Sequence, residues 1–256
     1  PTSNRLDPLT FTRTAPPGSN LHVSLLWQKS QNQGLLPKET YAPVANRLDP
    51  LTFIKGHFIM KAILIFDHPY TLAASENQPH FRSYSAAVAQ RTINYLQANG
   101  DTVDVIDLHK DKFDPVMHAT DLSNWRTRRS LNDQVDDYFN RLAAAERIIF
   151  VFPIWWEVMP AMTKGFIDKV FSKNRIPKNG PRVLFANQPR IDIFTIAGTP
   201  TFLYRLKYGN PVIKSLKRGT FQKVGVKNVH WHNFNAEDKS AAKRTADLTH
   251  IQKFLR

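Results

Sequence analysis

Ile148-Ile149-Phe150-Val151-Phe152 runs into Pro153-Ile154-Trp155-Trp156-Glu157-Val158-Met159-Pro160 and then Ala161-Met162-Thr163-Lys164-Gly165-Phe166-Ile167-Asp168-Lys169-Val170-Phe171. Five consecutive β-branched and aromatic residues without a polar break predict a strand covered on both faces, the pattern of a central strand in a parallel sheet. Pro153 has no N–H to give and ends the ladder, while Pro160 suits the first turn of a helix. In that helix Met162, Phe166 and Val170 recur at four-residue intervals and mark one apolar face. The segment between the two prolines is therefore a loop outside the carboxyl end of a central strand, where open α/β sheets bind ligands. It carries two adjacent indoles and a carboxylate. The indoles offer flat apolar surface to a planar ring, or else they cap the core.

Working outward, Lys61 to Phe66 reads as a buried first strand running into Asp67-His68-Pro69 and a polar loop to about Arg82. Ser83-Tyr84-Ser85 then opens a helix whose face is Ala89, Ile93 and Leu96, closed by Asn99-Gly100 as a C-cap. Hydroxyls at a helix N-terminus suit an anion such as a nucleotide phosphate, and equally suit simple N-capping. Thr102 to Leu108 is the second strand, His109 to Asn132 mostly loop, and Asp133 to Ala145 a helix with Val135, Phe139 and Leu142 inward. The order β, α, β, α, β, α is that of a doubly wound sheet.

After Phe171 comes a basic turn region, then a weak strand candidate at Arg182 to Ala186 and a stronger one at Ile191 to Ala197, ending in Gly198-Thr199-Pro200. Thr201 to Gly219 holds a helix from about Pro211, Val224 to Trp231 is the last strand, and Ala241 to Leu255 a closing amphipathic helix.

Residues 1 to 59 read differently. They are rich in Pro, Asn, Ser and Thr, and Asn4 to Phe11 recurs identically as Asn46 to Phe53. Two copies are too few for a stacked repeat architecture. A duplication, a cloning scar or an over-long reading frame is expected, with an irregular extension over 1–59 and the working domain over 60–256.

The 256 residues suffice for a sizeable core and contain no cysteine, which excludes disulfides, thiolate nucleophiles and cysteine-ligated metal. No metal site is expected. No apolar run has membrane-spanning length, so a soluble, cytoplasmic protein is expected. The formal net charge is +14, but its distribution is uneven. Residues 1–59 carry 6 Lys/Arg against 3 Asp/Glu, 60–163 carry 10 against 13, and 164–256 carry 19 against 5. Neither an RNP-type sequence nor a helix-turn-helix accompanies the basic residues, which argues against nucleic acid as the partner.

From Met60 on, the chain resembles the flavodoxin-like NAD(P)H:quinone oxidoreductases, the group of DT-diaphorase and the modulator-of-drug-activity reductases. The resemblance rests on His68 with Arg82-Ser83-Tyr84-Ser85, on Asp107-Leu108 with Phe113-Asp114-Pro115, on Phe152 to Trp156 with Pro160-Ala161 and Lys164-Gly165-Phe166, and on Thr195-Ile196-Ala197-Gly198-Thr199. It implies an α/β, flavodoxin-like doubly wound parallel five-stranded sheet with helices on both faces. It further implies a bound flavin, FAD or FMN, reduced by NAD(P)H and reoxidised by a quinone or similar planar acceptor in ping-pong order, in a homodimer. By the same resemblance His68, Ser83, Tyr84 and Ser85 surround the flavin phosphate. Pro153, Ile154, Trp155 and Trp156 lie along the isoalloxazine, and Thr195, Ala197 and Gly198 close over its pyrimidine side. DT-diaphorase has a Tyr and a His after the glycine loop; here only Tyr204 stands near that place, as the catalytic candidate. The basic group Lys207, Lys214, Lys217 and Arg218 could meet the 2′-phosphate of NADPH or a second flavin phosphate, or form a solvated surface. The alternative function is a non-catalytic flavodoxin-like electron-transfer or binding module.

Overall fold

The computed structural model describes residues 59–76, 82–236 and 239–255; the duplicated octapeptide and the expected extension lie outside the described residues. The fold is organised on five parallel strands, β1 (Lys61–Phe66), β2 (Thr102–Asp107), β3 (Arg147–Pro153), β4 (Arg190–Ala197) and β5 (Val229–Asn235), in the spatial order β2-β1-β3-β4-β5. Strand β3 is buried along its whole length, as its unbroken apolar run requires.

Alternate side chains of the strands feed two cores. Ile63, Ile65, Ile148, Phe150, Phe152, Ile191 and Ile193 face one side with Val135, Tyr138 and Leu142 of α3 (Asp133–Ala144) and Phe166, Ile167 and Val170 of α4 (Ala161–Val170). Ala62, Leu64, Phe66, Ile149, Val151, Phe194 and Phe234 face the other with Ala86, Val88, Ala89, Ile93 and Leu96 of α1 (Tyr84–Ala98). The C-terminal helices α7 (Ala241–Thr249) and α8 (Gln252–Leu255) extend that second layer through Ile251 and Leu255. The two-residue period of the strands thus sorts one apolar sequence into two layers of packing.

Four elements differ from the sequence expectation. The region His109 to Asn132 contains a helix, α2 (Ala119–Thr127), which a mostly polar sequence conceals. Arg182 to Ala186 forms no strand; Leu184 and Phe185 are buried loop residues, and the Leu184 N–H donates to the Val224 carbonyl at 2.8 Å. The last strand begins at Val229 rather than Val224, because Gly225 takes a φ of 91° and turns the chain there. The apolar alternation of Val224 and Val226 belongs to that buried turn, whereas the strand itself reads Val-His-Trp-His-Asn-Phe-Asn. A short helix α5 (Thr201–Leu206) precedes the one expected from Pro211, and the latter, α6 (Pro211–Ile213), continues as a π-helical stretch over Lys214–Phe221.

Candidate functional site

The strand order reverses direction between β1 and β3, and the loops leaving β1, β3 and β4 emerge side by side at their carboxyl ends. This switch point is where an open α/β sheet offers a crevice. Its walls are set from below by a buried carboxylate. Asp67, directly after β1, accepts the Thr163 backbone N–H at 2.8 Å and the Thr163 hydroxyl at 2.6 Å, and His109 Nε2 lies 3.1 Å from its other oxygen. Pro160, the N-cap of α4, brings no side-chain hydrogen bond, so Asp67 caps that helix from a different strand. The adjacent Asp107 does similar service, holding the Leu72 N–H at 2.7 Å and the Lys110 N–H at 3.2 Å.

Above this base lies the tryptophan turn. Trp155 and Val158 exchange backbone hydrogen bonds of 3.0 Å in both directions, closing a two-residue turn of Trp156 and Glu157. Both central residues are left-handed, with φ of 49° and 63°. A turn with two positive φ values ordinarily uses Asn or Gly, and each non-glycine residue there costs about 1–2 kcal/mol. The strain is held by neighbours: the Tyr204 hydroxyl donates to the Glu157 carbonyl at 2.8 Å, and the Thr199 hydroxyl donates to Glu157 Oε1 at 3.3 Å. The result is a Trp156 side chain 97% exposed, with Trp155 45% exposed. The core-capping alternative for the two indoles does not hold.

His68 stands at the end of β1, half-buried between Phe66 and Tyr70. Its Nδ1 accepts the Tyr70 N–H at 3.2 Å, and burial holds its pKa below the usual histidine value. Ser83, Tyr84 and Ser85 form the start of α1, a fifteen-residue helix, as the sequence indicated. Ser83 is its N-cap, accepting the Ala86 N–H at 3.3 Å. The Tyr84 hydroxyl reaches away to the Arg244 carbonyl at 3.1 Å, and burial raises its pKa to about 12.

Two expected site residues have a different setting. Thr195 is fully buried, its hydroxyl donating to Asn233 Oδ1 at 2.8 Å and accepting Trp231 Nε1–H at 2.9 Å. Its side chain faces the core between β4 and β5. Tyr204 is likewise fully buried; besides its bond to Glu157 it accepts the Val212 N–H at 3.2 Å, and burial raises its pKa to about 12. It is a clamp on the tryptophan turn rather than a hydroxyl open to an acceptor. Of the basic group, Lys217 is drawn to the Val229 carbonyl at 2.9 Å.

Sequence reasoning missed Asp67, Thr163, His109, Asn233 and Asn235. With its amide oriented to satisfy both groups, Asn235 donates to the carbonyls of Ala197 at 2.9 Å and Gly198 at 2.6 Å, fixing the β4 loop. The available signal was polar residues at strand ends, Asp67 after β1 and the alternate asparagines of β5.

A family model described as flavodoxin-like fold matches residues 60–255. The chain belongs to the flavodoxin-like fold family. The flavodoxin-like chain is similar to an uncharacterised NAD(P)H oxidoreductase of Haemophilus influenzae, 28% identical over 181 residues that cover 68% of this chain and 83% of that one. A ribosyldihydronicotinamide dehydrogenase (quinone) of Pongo abelii is 30% identical over 105 residues, 35% of this chain and 46% of that protein, so the match spans less than half of that relative. Among solved structures, an NAD(P)H:quinone oxidoreductase from Methanothermobacter marburgensis superposes with a TM-score of 0.62 at 22% identity, covering 76% of this chain and 94% of that one. An FMN-dependent NADH-azoreductase from Bacillus anthracis in complex with FMN gives 0.59 at 16% identity, covering 76% and 97%. These two share the flavodoxin-like fold with this chain.

Proposed function

We propose that this chain is a flavin-dependent NAD(P)H oxidoreductase that reduces quinones or similar planar acceptors by two electrons. The observation that carries the reading is the strained turn that holds Trp156 almost wholly in solvent at the switch point of the sheet. An indole so placed has no packing role, and its exposed face suits a flat conjugated ring. The relatives named as NAD(P)H oxidoreductase and as quinone dehydrogenase support the same chemistry.

The residues present fit a flavin. Trp155 and Trp156 offer its ring a surface, the backbone of Pro153-Ile154 and of Ala197-Gly198 borders the same crevice, and the N-terminus of α1 with His68 suits a phosphate. One carboxylate oxygen of Glu157, buried between the β3 and β4 loops, has no hydrogen-bond partner. When bound, the flavin supplies the hydride chemistry between NAD(P)H and the acceptor. This chain's residues bind and orient: Asp67 fixes the β1 and α4 ends, and Tyr204, Thr199 and Asn235 fix the two loops. The reading includes a ping-pong order, in which NAD(P)H and the acceptor would use the same crevice in turn.

The reading includes a homodimer. Val158, Phe202 and Leu206 are exposed apolar side chains on the turn after β3 and on α5, which the Tyr204–Glu157 bond ties together; Leu206 is 81% exposed. Large exposed apolar side chains on two joined segments are the kind of surface a partner covers. A cytoplasmic setting is proposed with it; among the described residues, no helix is long and apolar enough to cross a membrane.

The test is an anaerobic titration of flavin-loaded protein with NADPH and NADH, followed by addition of a benzoquinone. Loss of the yellow absorbance and its return with one equivalent of quinone is the expected result. Flavin that stays oxidised under both nicotinamides would contradict the reading.

A further inference from the structure

Glu157 is the residue of the tryptophan turn whose unpaired carboxylate oxygen the proposed function leaves without a named partner. Its backbone is clamped in a left-handed conformation, and its Oε1 accepts the Thr199 hydroxyl, so the side chain points from the β3 loop toward the β4 loop. Its Oε2 is buried and has no donor. Among the described residues it forms no ion pair, although the other carboxylates near these loops are engaged: Asp67 by Thr163, Asp107 by backbone N–H groups and Asp168 by Lys164. A carboxylate oxygen removed from water without a hydrogen bond is strongly disfavoured, so its retention between two ligand loops points to a donor that arrives from outside the chain.

We propose that Glu157 is a flavin-binding residue whose Oε2 accepts a hydrogen bond from the ring imide N–H of the flavin. This rests on the flavin reading above and deepens it. The oxidised isoalloxazine has a single N–H donor, on its pyrimidine edge, flanked by two carbonyl oxygens. An unpaired acceptor on a carboxylate held by Thr199, the residue after Gly198 in the β4 loop, matches that edge by chemistry, and a resident cofactor suits a buried partner better than a transient acceptor does. The strained turn has a purpose in this arrangement: reversing the chain over two residues aims Trp156 outward and Glu157 inward at once.

The test is equilibrium binding of FMN and of N3-methyl FMN, which lacks the donor, to the full chain and to its Glu157→Ala and Glu157→Gln variants. The unaltered protein is expected to bind the methylated flavin about tenfold or more weakly, the scale of a hydrogen bond to a charged group. Glu157→Ala is expected to bind the two flavins with a ratio near one, and Glu157→Gln, which keeps an acceptor oxygen, with a ratio between these. Equal discrimination in the unaltered protein and Glu157→Ala overturns the assignment, as does an unaltered protein that binds both flavins equally. Failure to bind either FMN or FAD overturns the flavin reading itself and this inference with it. Should Glu157→Ala not fold, the ratios for the unaltered protein and Glu157→Gln decide the matter, with equal ratios near one counting against it.

Discussion

The Tyr204 hydroxyl donates to the Glu157 carbonyl at 2.8 Å, joining two residues 47 positions apart. That bond ties the helix after β4 to the turn after β3, the two segments that wall the candidate crevice. It explains why a buried tyrosine stands where sequence comparison suggested a reactive one. Tyr204→Phe keeps the ring and removes both the donor to Glu157 and the acceptor for the Val212 N–H. A stability loss of about 1–2 kcal/mol in urea unfolding is expected, with weaker flavin binding and an unchanged pH profile of kcat. Full stability with a collapsed kcat would instead give Tyr204 a direct chemical role.

Asp67 should matter more to the framework than its single charge suggests. Asp67→Ala leaves the Thr163 N–H and hydroxyl and the His109 ring without their acceptor. Loss of a helix cap together with a buried acceptor is expected to cost about 2–3 kcal/mol. Chemical denaturation with far-ultraviolet circular dichroism measures it, and a change below about 0.5 kcal/mol, the scale of an ordinary surface substitution, would contradict this role.

Gly165 is the point of closest approach between α4 and the loop before α2. A Cβ there would lie 2.2 Å from the Pro115 carbonyl oxygen and 2.4 Å from its Cα, both backbone atoms with little room to move. Gly165→Ala therefore lowers stability by about 3 kcal/mol, at the upper end of overpacking costs, despite the better helix propensity of alanine. A variant melting at or above the temperature of the unaltered protein would show that the loop shifts freely.

The sequence was most informative where packing alone decides structure. Strand β1, the central β3 and the helix starts at Ser83 and Pro160 follow from apolar runs and capping residues whose causes are local. Strand β5 was misplaced because its histidines and asparagines perform tertiary tasks that propensity cannot see: Asn233 answers Thr195, and Asn235 the β4 loop. The same holds for the candidate site. The two indoles were visible as adjacent aromatics, but the left-handed backbone that exposes one of them depends on Tyr204 and Thr199, residues far along the chain.

Stability should also depend on pH through His232. Its ring stacks on Phe254 at 3.6 Å, and burial lowers its pKa to about 4 from 6.5. The folded state therefore holds this histidine neutral, while the unfolded chain binds a proton below 6.5. The stabilisation is complete above pH 6.5 and is lost progressively as pH falls from 6.5 toward 4, by about 1–3 kcal/mol over that window. His232→Phe is expected to flatten this part of the unfolding free-energy curve, and an equally steep curve in the variant would assign the dependence to other groups.

The most direct measurement is flavin titration of the chain and its Trp156→Ala variant, followed by tryptophan quenching and flavin absorbance, with unfolding free energies taken in parallel. Because the indole is 97% exposed, its removal should change stability by less than about 0.5 kcal/mol. Loss of its stacking surface should weaken flavin binding by about tenfold. Flavin affinity that is unchanged in the variant, or no flavin binding by the unaltered protein, would contradict the account.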